Sequence, residues 1–220
     1  MRKDMQNVVV GNVLTQEEID TIYSILDQNK SQTFVESLSY TSYHIQMPQS
    51  IIDKFTKIAS DIAGVPVEIR EYNLSRYEKT DRGGKIFHPI LFPHTDEAFK
   101  EARITLDYQI RSNIDWSITV DNWETENEFT LKDNELLSFA GTHQIHWRDK
   151  KNFEFGDFIE AIFMHFSPVP AQPLSTEHIN EVRDRGLYNY NKWKLQDGPT
   201  QNIGNDETDL YKYKRIEGIN

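Results

Sequence analysis

The chain has 220 residues, a net charge of −11 and no cysteine. The missing thiols exclude disulfide scaffolds, zinc ribbons, iron–sulfur clusters and cysteine nucleophiles, so a metal site must be built from His, Asp and Glu. The acidic balance argues against general nucleic-acid binding, and no apolar run approaches the about 18–20 residues of a membrane span. With 37% hydrophobic and 12% aromatic residues the composition is globular. The expectation is a cytoplasmic protein with one main domain over residues 1–170. A polar, Tyr-rich extension over 171–220 would pack on that domain or on a partner.

Val8 to Leu14 reads as a strand running into a helix. Thr15-Gln-Glu-Glu18 is a capping box, in which the Thr hydroxyl and the Glu carboxylate each satisfy an amide at the helix start. Ile19, Ile22, Tyr23, Ile25 and Leu26 follow at helical spacing, and the helix should stop near Asn29. Tyr40 to Gln46 is a strand candidate. A second helix should begin at Pro48, bury Ile51, Ile52, Phe55, Ile58, Ala59 and Ile62, and end at Gly64.

From Val65 the apolar period changes to two. Val67, Ile69, Tyr72, Leu74 and Tyr77 predict one long strand, followed by a turn at Thr80-Asp-Arg-Gly-Gly84. Further strands are predicted at Lys85–Phe92, Arg103–Arg111, Trp116–Val120, Glu128–Leu131, Leu136–Phe139 and Phe158–Phe166. Two helices ahead of many short strands imply a mainly β domain, a jelly-roll or cupin-like sandwich with flanking helices. After Ser167-Pro-Val-Pro170, Thr176 to Arg185 could form a helix, and the remainder reads as a loose arm.

Chemistry concentrates at His94-Thr95-Asp96 and His146-Trp147-Arg148. Strand side chains at i and i+2 share a face, so His94 and Asp96 can address one ion. With His146 they form the ligand set of a 2-His-1-carboxylate triad, which holds non-haem Fe(II) and leaves positions open. His143 is the alternative third ligand, and ordinary loop histidines are the plain reading of the whole set. His88 and His165 read as hydrogen-bonded loop and core histidines, and His44 and His178 as surface residues.

At these motifs the chain resembles the 2-oxoglutarate and Fe(II)-dependent oxygenases, in particular the prolyl-4-hydroxylase-like branch with its small phage and bacterial members. The resemblance rests on the order of the N-terminal strand and helix, Tyr72-Asn-Leu-Ser-Arg-Tyr77, His-Thr-Asp, Arg103-Ile-Thr-Leu-Asp-Tyr108, Phe139-Ala-Gly-Thr-His-Gln-Ile-His-Trp-Arg148 and Ala161-Ile-Phe-Met-His165. It implies a double-stranded β-helix with two N-terminal helices packed on one sheet. It also implies Fe(II) on His94, Asp96 and His146, with 2-oxoglutarate and O₂ as cosubstrates and ascorbate as an accessory reductant. The activity implied is hydroxylation of a C–H bond in a peptide, proline included, or in a small molecule, with release of succinate and CO₂.

One departure stands out. The family carries a cation on the closing strand for the far carboxylate of 2-oxoglutarate, whereas this chain has Phe155-Gly-Asp157-Phe-Ile159 there. Arg148 is the expected substitute, because its planar fork suits a carboxylate. Tyr108 and Tyr77 are the expected helpers, with Arg103 and Arg111 in reserve. The alternatives are a cupin-like metal protein without an oxoacid and a non-catalytic barrel. Trp116 and Trp123 and the acidic run Asp121–Glu128 are expected near the mouth or, for Trp116, in the core. The Tyr-rich arm, Tyr188 to Trp193 and Tyr211 to Tyr213, could also serve a homodimer.

Overall fold

The computed structural model describes residues 7–28, 31–36, 38–96 and 101–199. In chain order the elements are β1 (Val8–Gly11), α1 (Gln16–Gln28), β2 (Gln32–Val35), β3 (Tyr40–Tyr43), α2 (Gln49–Ala63), β4 (Val67–Glu78), β5 (Thr80–Arg82), β6 (Lys85–Phe87) and β7 (Leu91–His94). They continue with β8 (Ile104–Ser112), β9 (Ile118–Asp121), β10 (Glu126–Phe129), β11 (Glu135–Phe139), β12 (Ile145–Arg148), β13 (Phe158–Pro168) and α3 (Thr176–Lys194).

The strands form a seven-stranded sheet, β1-β11-β8-β13-β4-β3-β2, facing a four-stranded sheet, β10-β9-β12-β7, with β5 and β6 as a separate hairpin. The pairings within both sheets are antiparallel. The crossing order of the strands is the jelly-roll arrangement of a double-stranded β-helix.

Local signals hold both N-terminal helices. The Thr15 amide donates to Glu18 Oε2 at 2.7 Å and the Glu18 amide to Thr15 Oγ1 at 3.2 Å, which completes the capping box. Gly64 closes α2 with φ 66°, and its amide returns to the Ser60 carbonyl at 2.9 Å. Only glycine adopts that φ without strain. Ile22, Ile51, Phe55 and Ala59 then pack on Leu74, Ile104, Leu106, Leu136, Ile162 and Met164 of the large sheet. Phe55 is fully buried, so truncation to Ala would cost about 3–5 kcal/mol.

Three expectations change. The predicted strand Lys85–Phe92 is two strands, β6 and β7, split at His88-Pro89, because proline donates no ladder hydrogen bond. The segment around His146 is itself a strand, β12. The helix predicted to stop at Arg185 continues to Lys194, and Val182, Tyr190 and Trp193 pack against Ile90, Phe92, Ile145 and Trp147 of the small sheet. Tyr190 and Trp193 are thus buried, not part of a loose arm. Helices therefore cover both sheets, two on one and α3 on the other. Tyr211 and Tyr213 lie outside the described residues. No described helix is long and apolar enough to cross a membrane.

Candidate metal centre

The site lies between the sheets at one end of β7. β7 and β12 pair antiparallel with His94 directly opposite His146, and the ring centroids are 4.3 Å apart. The Asp96 amide donates to the Gly141 carbonyl at 2.9 Å, which fixes the chain just beyond β7. Ligand atoms of His94, Asp96 and His146 all fall within 4.8 Å of one another.

Each imidazole is oriented by its own strand. His94 Nδ1 lies 2.7 Å from the Phe92 carbonyl and His146 Nδ1 3.1 Å from the Gln144 carbonyl. A carbonyl partner requires N–H at Nδ1, so Nε2 is the metal-facing nitrogen on both rings. His146 Nε2 is 3.6 Å from Asp96 Oδ1. Burial would raise the Asp96 carboxyl, but His165, His146 and His94 outweigh it and hold the group well below the usual carboxylate range. Burial lowers the His146 imidazole despite Asp96, which favours the neutral form that binds metal.

Three further residues enclose Asp96. The Thr105 hydroxyl makes a short hydrogen bond to Oδ2, and His165 Nδ1 is 3.3 Å from the same oxygen. A Cβ on Gly141 would overlap both Asp96 Oδ2 and Thr105 Oγ1, so only glycine fits there. None of the three was legible as a site residue, because Thr105 and His165 meet through sheet register and not through sequence spacing.

A cavity of about 300 Å³ adjoins the three candidate ligands and is walled by Tyr40, Asn73, Tyr77, Leu91, Phe163 and His165 among others. That is the small end of the about 300–1,000 Å³ typical of small-molecule pockets.

The expected cosubstrate residues divide. Tyr77 is buried and lines the cavity. Tyr108 does not: Leu106, Tyr108 and Ile110 face the helices, and the Tyr108 hydroxyl donates to Asn134 Oδ1 at 2.9 Å. Strand alternation sends Thr105 and Asp107 inward and Tyr108 outward, so Tyr108 is withdrawn as a helper. Arg148 is buried between the sheets behind the cavity wall. Its Nη2 donates to Asp107 Oδ2 at 3.0 Å and its Nη1 to the Trp116 carbonyl, while its Nε and Asp107 Oδ1 have no hydrogen-bond partner among the described residues. Burial raises the Asp107 carboxyl, against the pull of Arg148 and His146. The reserve cations are engaged elsewhere, Arg103 with Glu101 at 2.7 Å and Arg111 with Glu160 at 2.6 Å.

Other expectations resolve by burial. His143 is outside the triad; it is buried and makes a short contact with His178, which is buried and not on the surface. Trp116 is core, its indole N–H on the Asp149 carbonyl at 2.7 Å. Trp123 is half-buried and donates to the His143 carbonyl at 2.9 Å. In the acidic run, Asp121 is buried and accepts from Arg185 at 2.5 Å and Asn189 at 2.6 Å, a structural role.

No family model and no curated protein sequence matches the chain. Solved structures do. The α-ketoglutarate-dependent epimerase SnoN from nogalamycin biosynthesis aligns with TM-score 0.60 at 12% identity, over 78% of this chain and 81% of its own. A 2OG-Fe(II) oxygenase-family oxidoreductase from Burkholderia pseudomallei aligns with TM-score 0.56 at 11% identity, over 74% and 85%. A prolyl hydroxylase from Trichoplax adhaerens, solved with a hypoxia-inducible-factor peptide, aligns with TM-score 0.53 at 10% identity, over 76% and 86%. The chain has the fold of the 2OG-Fe(II) oxygenases.

Proposed function

We propose that this chain is a non-haem Fe(II) and 2-oxoglutarate-dependent oxygenase acting on a C–H bond of a peptide or a small molecule. The observation that carries the proposal is the convergence of His94, Asp96 and His146 at the wall of a cavity, inside this fold. The donor set fits the metal: two imidazoles with Nε2 turned inward and one ionised carboxylate suit a borderline divalent ion. When bound, iron and 2-oxoglutarate supply O₂ activation, coupling oxidation of the substrate to formation of succinate and CO₂.

In this reading the chain's own residues bind, orient and exclude water. His94, Asp96 and His146 would hold the metal. Arg148 and Tyr77 would take the far carboxylate of 2-oxoglutarate. Support comes from the Arg148 Nε, which has no hydrogen-bond partner among the described residues. Leu91, Phe163 and Tyr77 make the cavity wall apolar beside the candidate ligands, which limits water there. Proline in a peptide is one member of the substrate class.

One observation favours the cupin-like alternative, a metal site without an oxoacid. Arg148 already has a carboxylate partner in Asp107. The deciding experiment is anaerobic titration of metal-free protein with Fe(II) and then 2-oxoglutarate. A weak visible charge-transfer band near ~500 nm is expected, with succinate formed when O₂ is admitted. Fe(II) binding without the band would favour the alternative. No Fe(II) binding would refute both.

A further inference from the structure

Asp96 is attached to the small-sheet side of the barrel, yet its second oxygen is held from the large sheet. Thr105 on β8 and His165 on β13 are register partners. Both reach Asp96 Oδ2, Thr105 through its hydroxyl and His165 through Nδ1 at 3.3 Å. Thr105 has one proton, and it points to Asp96. The 3.1 Å contact between Thr105 Oγ1 and His165 Nδ1 therefore needs the hydrogen on the imidazole. His165 Nδ1 is thus a donor, shared between the Thr105 oxygen and the carboxylate. Its other nitrogen, Nε2, faces Glu71 at 4.0 Å.

Gly141 closes the remaining side, since a side chain there would overlap Oδ2. Oδ1 is turned the opposite way, toward His146 Nε2 at 3.6 Å. One oxygen is saturated by donors and the other points at the ligating nitrogens. Such a carboxylate is built to bind through a single oxygen. Binding through both would occupy a position that an exogenous ligand needs.

Resting on the metal reading above, we infer that Thr105 and His165 are positioning residues that fix Asp96 as a one-oxygen ligand and so preserve an open coordination position. Neither is placed to ligate the metal itself.

The test uses the full-length protein and Co(II), an air-stable probe whose visible absorption reports coordination number. Thr105→Val and His165→Leu remove the donors at similar size. Thr105→Ser keeps the hydroxyl, and His165→Asn keeps an N–H near the Nδ1 position. Expected are Co(II) dissociation constants about 10–100-fold weaker for the first two. Their visible bands should also fall in intensity, as carboxylate chelation raises the coordination number. Thr105→Ser and His165→Asn should stay within about threefold of wild type. Wild-type affinity and spectrum in both Thr105→Val and His165→Leu would overturn the inference. So would equal weakening in all four variants, which would assign the residues to packing. Absence of Co(II) binding in the wild type would instead overturn the metal reading beneath it.

Discussion

Two histidine pairs with nearly the same geometry sit in this molecule. His94 and His146 have ring centroids 4.3 Å apart, and His143 and His178 4.5 Å apart. Only two residues, Gln144 and Ile145, separate His143 from His146 in the chain. The first pair turns Nε2 toward a carboxylate at the wall of a cavity. The second meets ring nitrogen to ring nitrogen, with His178 on α3 beside Trp123 and its Nδ1 3.8 Å from Glu181 Oε2. Proximity of imidazoles therefore does not define a metal site. A carboxylate within reach of both ligating nitrogens, backbone bonds that free those nitrogens and an adjoining cavity together do.

The largest break in that comparison is at Gly141. Gly141→Ala drives a methyl into Asp96 Oδ2 and Thr105 Oγ1, so the carboxylate must leave its place. Metal affinity should fall beyond the about 100-fold that loss of one outer partner causes. Isothermal titration with Mn(II), beside circular dichroism to verify folding, reads this directly. His146→Ala should abolish binding by the same measurement, whereas His143→Ala should leave the dissociation constant unchanged. An equal loss in His143→Ala would erase the distinction between the pairs.

Arg148 tests the buried ion pair outside the cavity lining. Arg148→Ala strands Asp107 in the barrel interior, so a stability loss of about 3–5 kcal/mol is expected in urea unfolding. In the proposed reaction the KM for 2-oxoglutarate should also rise at least about tenfold, or about 1.4 kcal/mol. Arg148→Lys keeps the charge and loses the fork, so it should recover more stability than KM. A KM that does not move would remove Arg148 from the cosubstrate site.

The second pair predicts a smaller effect. His178→Ala removes the ring nitrogen that buried His143 contacts, which should cost about 1–3 kcal/mol of stability with no change in metal affinity. Thermal unfolding and Mn(II) titration together separate the two terms.

How much of this was legible follows from which contacts are local. The Thr15/Glu18 box and Gly64 act within a turn, so sequence sufficed. The i, i+2 spacing pointed to His94 and Asp96 together although only His94 lies on β7 and Asp96 is held just beyond it by the Gly141 carbonyl, and the ordering of strands brought His146 to them. Tyr108 was misjudged because the sequence of β8 does not say which face looks inward; in the structure it shares the helix-facing side with Leu106 and Ile110. Thr105, His165 and Gly141 meet Asp96 only through register between strands far apart in the chain, which no spacing rule encodes. The length of α3 was hidden by composition: Val182, Tyr190 and Trp193 hold a narrow apolar stripe in an otherwise polar segment.

The weakest prediction concerns a polar cluster with no role at the cavity. Glu160 on β13 is nearly inaccessible, and its two oxygens accept from Arg76, Arg111 and the Tyr23 hydroxyl, each with a bond of 2.6 Å. Burial would raise its carboxyl, but Arg111, Tyr23 and Arg76 lower it below the ordinary value of 4.5. A carboxyl that is more acidic in the folded state stabilises fully above its unfolded value. That contribution fades as pH falls through the folded one. Glu160→Gln should therefore cost on the order of 1–2 kcal/mol near neutral pH, at the low end because Arg111 is half-exposed. The difference from wild type should shrink as the pH drops below about 4.5. Urea unfolding of both proteins across that window measures it. Metal affinity should be unchanged throughout, since this cluster is fully partnered and faces α1. A pH-independent difference would mean that Glu160 acts through packing and not through its charge.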